Sequence, residues 1–357
     1  MKTLKAALSF ILMVFTLCVT ISAYAEEHKK CYLNDNVYIE NTISETDSTA
    51  GTYIGTVQTW SLDDLISILQ LDDFKDCVPE KRESELVLSH NDDLLSITAA
   101  DGNEPFETMN ISYMSSKLDK YDFIFQSYAR ALAGLETSSE LSFLSQEDVV
   151  NRYTAILEQL LPGMTPVCSE IWGYSVEDLN TVRGWLSEND EMYMAFLESG
   201  KIADTADFET GDEAYTVLFT FELNGIPVFD CNDVGLNYYS DNEKALANEM
   251  YCSISITKDG IIDFSLMNCV SISSKESESA LISAMDAASI AAQRYEDVIR
   301  TTPVILSDVK LEYMPLIQDD GTIYFVPTWY FRAASEDNPR LTLEACRINA
   351  ITGEILN

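Results

Sequence analysis

Histidine, the usual general base of hydrolytic sites, occurs only twice in 357 residues, as His28 and His90. His28 lies beside the N-terminal apolar stretch, and His90 opens the turn-forming run His90-Asn91-Asp92-Asp93. A Ser-His-Asp hydrolase would have to use His90, yet no Gly-x-Ser-x-Gly elbow accompanies it. A Cys-His nucleophile meets the same shortage. Neither His-Glu-x-x-His nor a phosphate-cradling glycine loop occurs. His90 therefore reads as a solvated turn residue. Carboxylates are plentiful, with 59 Asp and Glu residues. A pair of them could hydrolyse a glycosidic bond without histidine, but at this density no pair stands out by spacing. The acidic run Asp204, Asp207, Glu209, Asp212 and Glu213 could hold calcium weakly. It lacks the Asp-x-Asp-x-Asp-Gly order and the closing Glu of a dedicated loop. No catalytic residue, dedicated metal site or cofactor is assigned on these grounds.

The acids face only 22 basic residues, for a formal charge of −37. Such a surface repels nucleic acid and anionic headgroups. The acids are spread along the whole chain, as on a solubilising surface rather than in an interaction tail. With 46% hydrophobic residues, including 4 Trp, 18 Tyr and 15 Phe, the chain can bury several cores. Its length suits roughly two or three domains.

Residues 1–25 read as a targeting segment. Lys2 and Lys5 form the positive end, Ala6 to Ile21 is apolar, and Ala23-Tyr24-Ala25 offers a cleavage site. The expectation is an exported protein with a cleaved signal peptide. An uncleaved anchor is the alternative, because the apolar run is nearly long enough to span a membrane. Beyond Cys18 in the leader stand Cys31, Cys77, Cys168, Cys231, Cys252, Cys269 and Cys346. Export permits disulfides, but an odd count leaves one thiol free. Strand alternation argues against a Cys252–Cys269 bridge. With Lys258-Asp259-Gly260 as a loop, Ile256 faces Ile262, Ile254 faces Phe264 and Cys252 faces Leu266, so Cys269 points to the other face. Most of these cysteines read as small core hydrophobes. With no Cys-x-x-Cys, zinc is not expected.

The elements that must position these residues fall into three groups. Residues 26–135 read as an N-terminal α+β domain. It has an irregular lead-in to Gly51, a strand near Tyr53 to Trp60, and a helix capped by Ser61 and Asp64. A meander then runs through Leu86–Leu88, Leu94–Thr98 and Phe106–Met114, and Tyr121 to Leu135 reads as helical. Residues 141–274 read as a helix capped by Ser145 and Asp148, then a sheet, interrupted by an inserted helical hairpin over 165–212. The strand Tyr215 to Leu223 alternates cleanly into an Asn224-Gly225 hairpin turn. Residues 275–357 repeat the plan. Leu281-Ile282-Ser283-Ala284-Met285-Asp286-Ala287-Ala288 matches Phe143-Leu144-Ser145-Gln146-Glu147-Asp148-Val149-Val150 in pattern, and each leads into a meander. The fold class is therefore α+β, built of tandem helix-on-meander units beside a further N-terminal domain.

The last unit carries a resemblance. Leu311-x-Tyr313, Val326-Pro327-Thr328-Trp329 and Ile348-Asn349-Ala350-x-Thr352-Gly353-Glu354 are similar to the end of YycI/YycH-type regulatory domains and, more distantly, to PepSY repeats. The likeness extends over roughly residues 215–357. The residues themselves mark strands over Val309–Leu316, Ile323–Phe331 and Leu341–Ile348, rich in β-branched and aromatic side chains and separated by the turns Asp319-Asp320-Gly321 and Glu336-Asp337-Asn338-Pro339. The likeness implies an extracytoplasmic protein without chemistry of its own. The expected role is binding to an envelope or extracellular protein partner. Pro327, Trp329 and Tyr330 are the candidate binding residues, with Trp329 as anchor. Packing of Trp329 in the core is the competing reading. A carboxylate-based hydrolase, a glycan-binding protein, or a PepSY-like protease-inhibiting module are the rival functions.

Overall fold

The computed structural model describes residues 30–39, 49–82, 85–98, 110–121, 123–202, 207–229, 250–296, 302–318 and 322–356. Strands β1 (Cys31–Tyr32), β2 (Val37–Ile39) and β3 (Thr49–Val57) precede helix α1 (Leu62–Leu69). Strands β4 (Glu80–Arg82), β5 (Glu85–His90), β6 (Asp93–Thr98) and β7 (Asn110–Met114) follow. Next come α2 (Ser127–Leu132), α3 (Gln146–Leu160), β8 (Thr165–Tyr174), α4 (Val176–Asn189) and α5 (Glu191–Glu198). The remainder is β9 (Ala214–Leu223), β10 (Ile226–Pro227), β11 (Cys252–Thr257), β12 (Gly260–Leu266), β13 (Val270–Ala280), α6 (Ala284–Gln293), β14 (Val304–Ile317), β15 (Ile323–Ser335), β16 (Asn338–Asn349) and β17 (Ile355–Leu356). The fold is mixed α+β, with two sheets among the described residues. The leader falls outside them, and no described helix is long and apolar enough to cross a membrane.

Four helix starts are written locally. Ser61, Ser145, Ser175 and Ser283 each accept the backbone N–H of the aspartate three residues on: Asp64, Asp148, Asp178 and Asp286. Each serine satisfies an orphan donor, and each aspartate sits at the positive end of the helix dipole.

The chain divides into two compact units. The larger comprises residues 50–279 and 312–327 and holds a nine-stranded sheet. Meander β4–β5–β6–β7 and meander β8–β9–β11–β12 meet where β7 pairs antiparallel with β12, through Ile111↔Leu266 and Tyr113↔Phe264. This corrects the division at residues 135–141: the expected N-terminal domain and the 141–274 unit share one sheet. Alternation in Ile111 and Tyr113 marks a one-faced strand but names no partner for it. One face of the sheet packs under α1 and α3. Leu65, Ile66 and Leu69 of α1, and Val149, Tyr153, Ile156, Leu157 and Leu160 of α3, join Leu95, Tyr113, Phe219, Ile254 and Phe264 in one core. A second core lies on the other face at one end of the sheet. There Leu179, Val182 and Leu186 of α4 and Tyr193 of α5 bury against Tyr174, Ala214 and Ile262.

Strand β8 corrects the expected helical insert at 165–174. Pro166, Gly173 and the bulge between Cys168 and Glu170 disguise its alternation, while α4 and α5 form the helical pair as expected. The hairpin arithmetic holds at Cys252↔Leu266 and Ile254↔Phe264. It slips at the tip, where Ile256 opposes Ile261 across a bulge and the loop shortens to Lys258-Asp259. Asn224 and Gly225, at φ 50° and 77°, make the expected two-residue turn, whose twin positive φ values suit Asn-Gly.

The smaller unit comprises residues 280–311 and 328–357 with the chain up to Thr49. Here β15 pairs with β16 from Thr328↔Asn349 to Ser335↔Asn338, and β17 adds to β16. The lead-in expected to be irregular supplies β2, with Val37, Tyr38 and Ile39 all buried, which pairs parallel with β14 through Val304↔Val37. Helix α6 lies against β16 and buries Ala287, Ala288, Ala291 and Ala292, whose small side chains allow close approach.

Candidate functional site

Strand β15 buries all three candidate binding residues. Pro327 is buried, and Trp329 and Tyr330 are 3% and 2% exposed. Trp329 donates its indole N–H to the carbonyl of Ile282 at 3.0 Å and pairs across the strands with Ile348. The cations of Lys310 and Arg347 lie 4.7 and 5.1 Å from the Tyr330 ring centroid. So Trp329 is a core residue that ties the segment before α6 to β15, and it has no surface to offer a partner in this conformation. The exposed-anchor expectation is corrected accordingly. Asn349 shapes the last turn, its side-chain oxygen accepting from the N–H groups of Ile351 and Thr352.

The acidic run is likewise engaged. Asp207 pairs with Arg183, Lys120 donates to Asp212 at 2.6 Å, and Asp212 also accepts the Glu209 N–H at 2.7 Å. Asp204 lies outside the described residues. Among those described, no group of three or more His, Cys, Asp or Glu side chains could hold a metal. Two of the carboxylates expected to hold calcium, Asp207 and Asp212, are turned toward Arg183 and Lys120 instead.

What the strands bring together is a face of hydroxyls. In β6, β7, β11 and β12 a serine stands opposite a serine: Ser253↔Ser265, Ser265↔Ser112 and Ser112↔Ser96. With adjacent strands about 4.8 Å apart, the row runs roughly 14 Å across the sheet. It lies on the face opposite α1 and α3, and it ends at Leu218 on β9 and at buried Val87 on β5. The neighbouring row reads Thr216, Ser255, Asp263, Met114 and Leu94. Met114 is 43% exposed and Ser112 is exposed, whereas among the described residues the second core covers this face toward Tyr174 and Ala214. Desolvation lifts the Asp263 carboxyl from 3.8 to about 6. At the rim, Arg130 pairs with Glu170 and stacks over Trp172, 4.1 Å from the ring centroid.

No residue of this face was singled out from the sequence. A signal was present: Ser96, Ser112, Ser253 and Ser265 each stand between two apolar residues in an alternating strand. Serine there reads as ordinary solvent-side polarity until the register aligns the four.

The fold has a precedent. Among solved structures, the chain is similar to an uncharacterised protein from Eubacterium rectale, at 17% identity and a TM-score of 0.54, over 92% of each chain. That likeness concerns the fold. No family model matches the chain, and no curated protein matches it.

Proposed function

We propose that this is an exported, non-catalytic binding protein that acts on an envelope or extracellular protein, with the hydroxyl face of the larger unit as its recognition surface. The observation that carries this reading is the register of Ser253, Ser265, Ser112 and Ser96 across four adjacent strands. Small side chains let a partner's backbone come close, and each hydroxyl can both donate and accept. Met114 adds an adaptable apolar contact beside the row. The formal charge of −37 favours a partner with a basic surface and speeds its encounter. A sugar-binding platform would instead stack aromatic rings on its ligand. Among the described residues the largely exposed aromatics are Tyr32 and Tyr128, and neither is on this face.

The likeness to YycI/YycH-type and PepSY domains belongs to the same proposal. It is supported by chain order: of the four Ser-x-x-Asp-capped helices, three precede an antiparallel run, and the fourth, α4, leads into α5. Helix α1 precedes β4–β7, α3 precedes β8, β9, β11 and β12, and α6 precedes β14–β17. We read these as copies of one helix-plus-meander unit.

The test begins with crosslinking in intact cells to identify a partner, which is then purified. Ser112→Arg and Met114→Lys change exposed side chains and leave the core intact. The expected result is wild-type binding to the purified partner that either change weakens at least tenfold. Equal binding by the variants would move the site elsewhere. Turnover of a glycan or peptide by the purified chain would replace the binding reading with a hydrolase.

A further inference from the structure

The β5–β6 hairpin carries an imidazole and an amide that meet a thiol on the segment before β4, and the recognition face uses none of the three. Asn91 and Asp92, both at positive φ (48° and 70°), form the two-residue turn that sets His90 opposite Asp93. The turn folds the Asn91 side chain back on its neighbour, so that Asn91 Nδ2 lies 2.8 Å from His90 Nε2. With the amide donating to Nε2, the neutral ring keeps its own proton on Nδ1. That nitrogen faces Cys77 Sγ at 3.8 Å. Cys77 follows the short 3-10 turn Asp72–Phe74, and the Phe74 ring lies against the imidazole with centroids 6.0 Å apart. The sulfur also lies 3.8 Å from the Asp73 carbonyl oxygen. Cys77 and His90 are both half-buried, with one side open to solvent.

We propose that Cys77 is a thiol-exchange site that forms mixed disulfides with small disulfides such as cystine. The ring N–H on Nδ1 is the donor a thiolate requires, and Asn91 holds the ring so that this N–H points at the sulfur. The thiol proton leaves to solvent, and the Cys77 thiolate attacks one sulfur of the disulfide. A new S–S bond forms as the old one breaks. The departing thiolate takes a proton from solvent, giving one mixed disulfide and one free small thiol. His90 and Asn91 are positioning residues in this step. Among the described residues, the thiols of Cys168, Cys252, Cys269 and Cys346 are less suited: Cys252, Cys269 and Cys346 are buried, and burial pushes Cys252 and Cys269 well up and Cys168 up. Cys31 is exposed on β1 and serves as an internal reference.

The experiment incubates the full chain, fully reduced, with cystine at pH 7 and follows each cysteine by peptide mass mapping. The expected result is that Cys77 is modified faster than the more exposed Cys31. His90→Gln should slow Cys77 about tenfold, the worth of one hydrogen bond to a charged group, and leave Cys31 unchanged. Asn91→Gly keeps the left-handed turn and removes only the amide, so it answers the same question if His90→Gln loosens the hairpin. It too should slow Cys77. A Cys77 rate no greater than that of Cys31, or one indifferent to both substitutions, overturns the proposal.

Discussion

Asp263 stands in an environment that its type does not prefer. It stands between Ser255 and Met114 on a half-covered sheet face, and burial alone raises its carboxyl to about 6. In the unfolded chain the same group titrates near 3.8. Between those values the folded protein holds a proton that the unfolded chain has released. The stability this group contributes is therefore fully present below about pH 4 and is lost as pH rises through 6, by ~3 kcal/mol at most. Asp263→Asn supplies a neutral group of the same shape. It should raise stability at pH 7 by ~2 kcal/mol and change little at pH 4. Urea unfolding of both proteins at the two pH values measures this. Equal stability at pH 7 would mean that the carboxylate is well solvated where it stands. Trp329 makes the complementary point. Its type suggested an interface anchor, and its indole N–H instead bonds to Ile282 inside the core.

At the scale of elements, the readable features were the local ones. The Ser-x-x-Asp caps, the Asn224-Gly225 turn and the pairing of Cys252 with Leu266 each follow from a few neighbouring residues. Strand β8 was hidden because its regularity is broken where another segment leans on it. Gly173 donates to Ser138 Oγ at 2.8 Å and accepts from the Ser139 N–H at 3.0 Å. The same strap is held to β9 by Tyr215, whose hydroxyl accepts from the Leu141 N–H at 2.8 Å and donates to the Leu144 carbonyl at 3.0 Å. A Cβ on Gly173 would overlap the Ser139 carbonyl oxygen and the Tyr215 ring. Gly173→Ala should thus cost about 3 kcal/mol by forcing the strap off β8. Gly184→Ala, inside α4 with open space around it, should gain up to ~1 kcal/mol from helix propensity. Thermal unfolding of the pair checks both signs, and a neutral Gly173→Ala would show that the strap is loosely held. The serine row and the Cys77–His90 contact were unreadable for the same reason as β8: each exists only once register and turn geometry are set.

At the scale of the whole chain, the decisive pairing is a long-range one, β7 with β12. Alternation announced both strands, but nothing in residues 110–114 says that their neighbour begins at Gly260. The consequence reaches beyond topology, because the core is shared. Leu65, Ile66, Leu69, Leu88, Leu95, Ile97, Ile111 and Tyr113 pack into the same cluster as Phe219, Ile254, Phe264 and Leu266. A chain starting at residue 141, where the sequence suggested a boundary, would lose the first set. It would expose the apolar face of β12 and leave the β12 edge unpaired, the arrangement that invites edge-to-edge aggregation. Such a fragment should be insoluble or show no cooperative unfolding transition, whereas a chain retaining residues 50–357 should unfold with a sharp transition in its larger unit. Circular dichroism melts of the two fragments distinguish the cases. A fragment from residue 141 that melts sharply at full secondary-structure content would mean that the β8–β9–β11–β12 half is self-sufficient, and that the join at β7 is a docking of two finished domains.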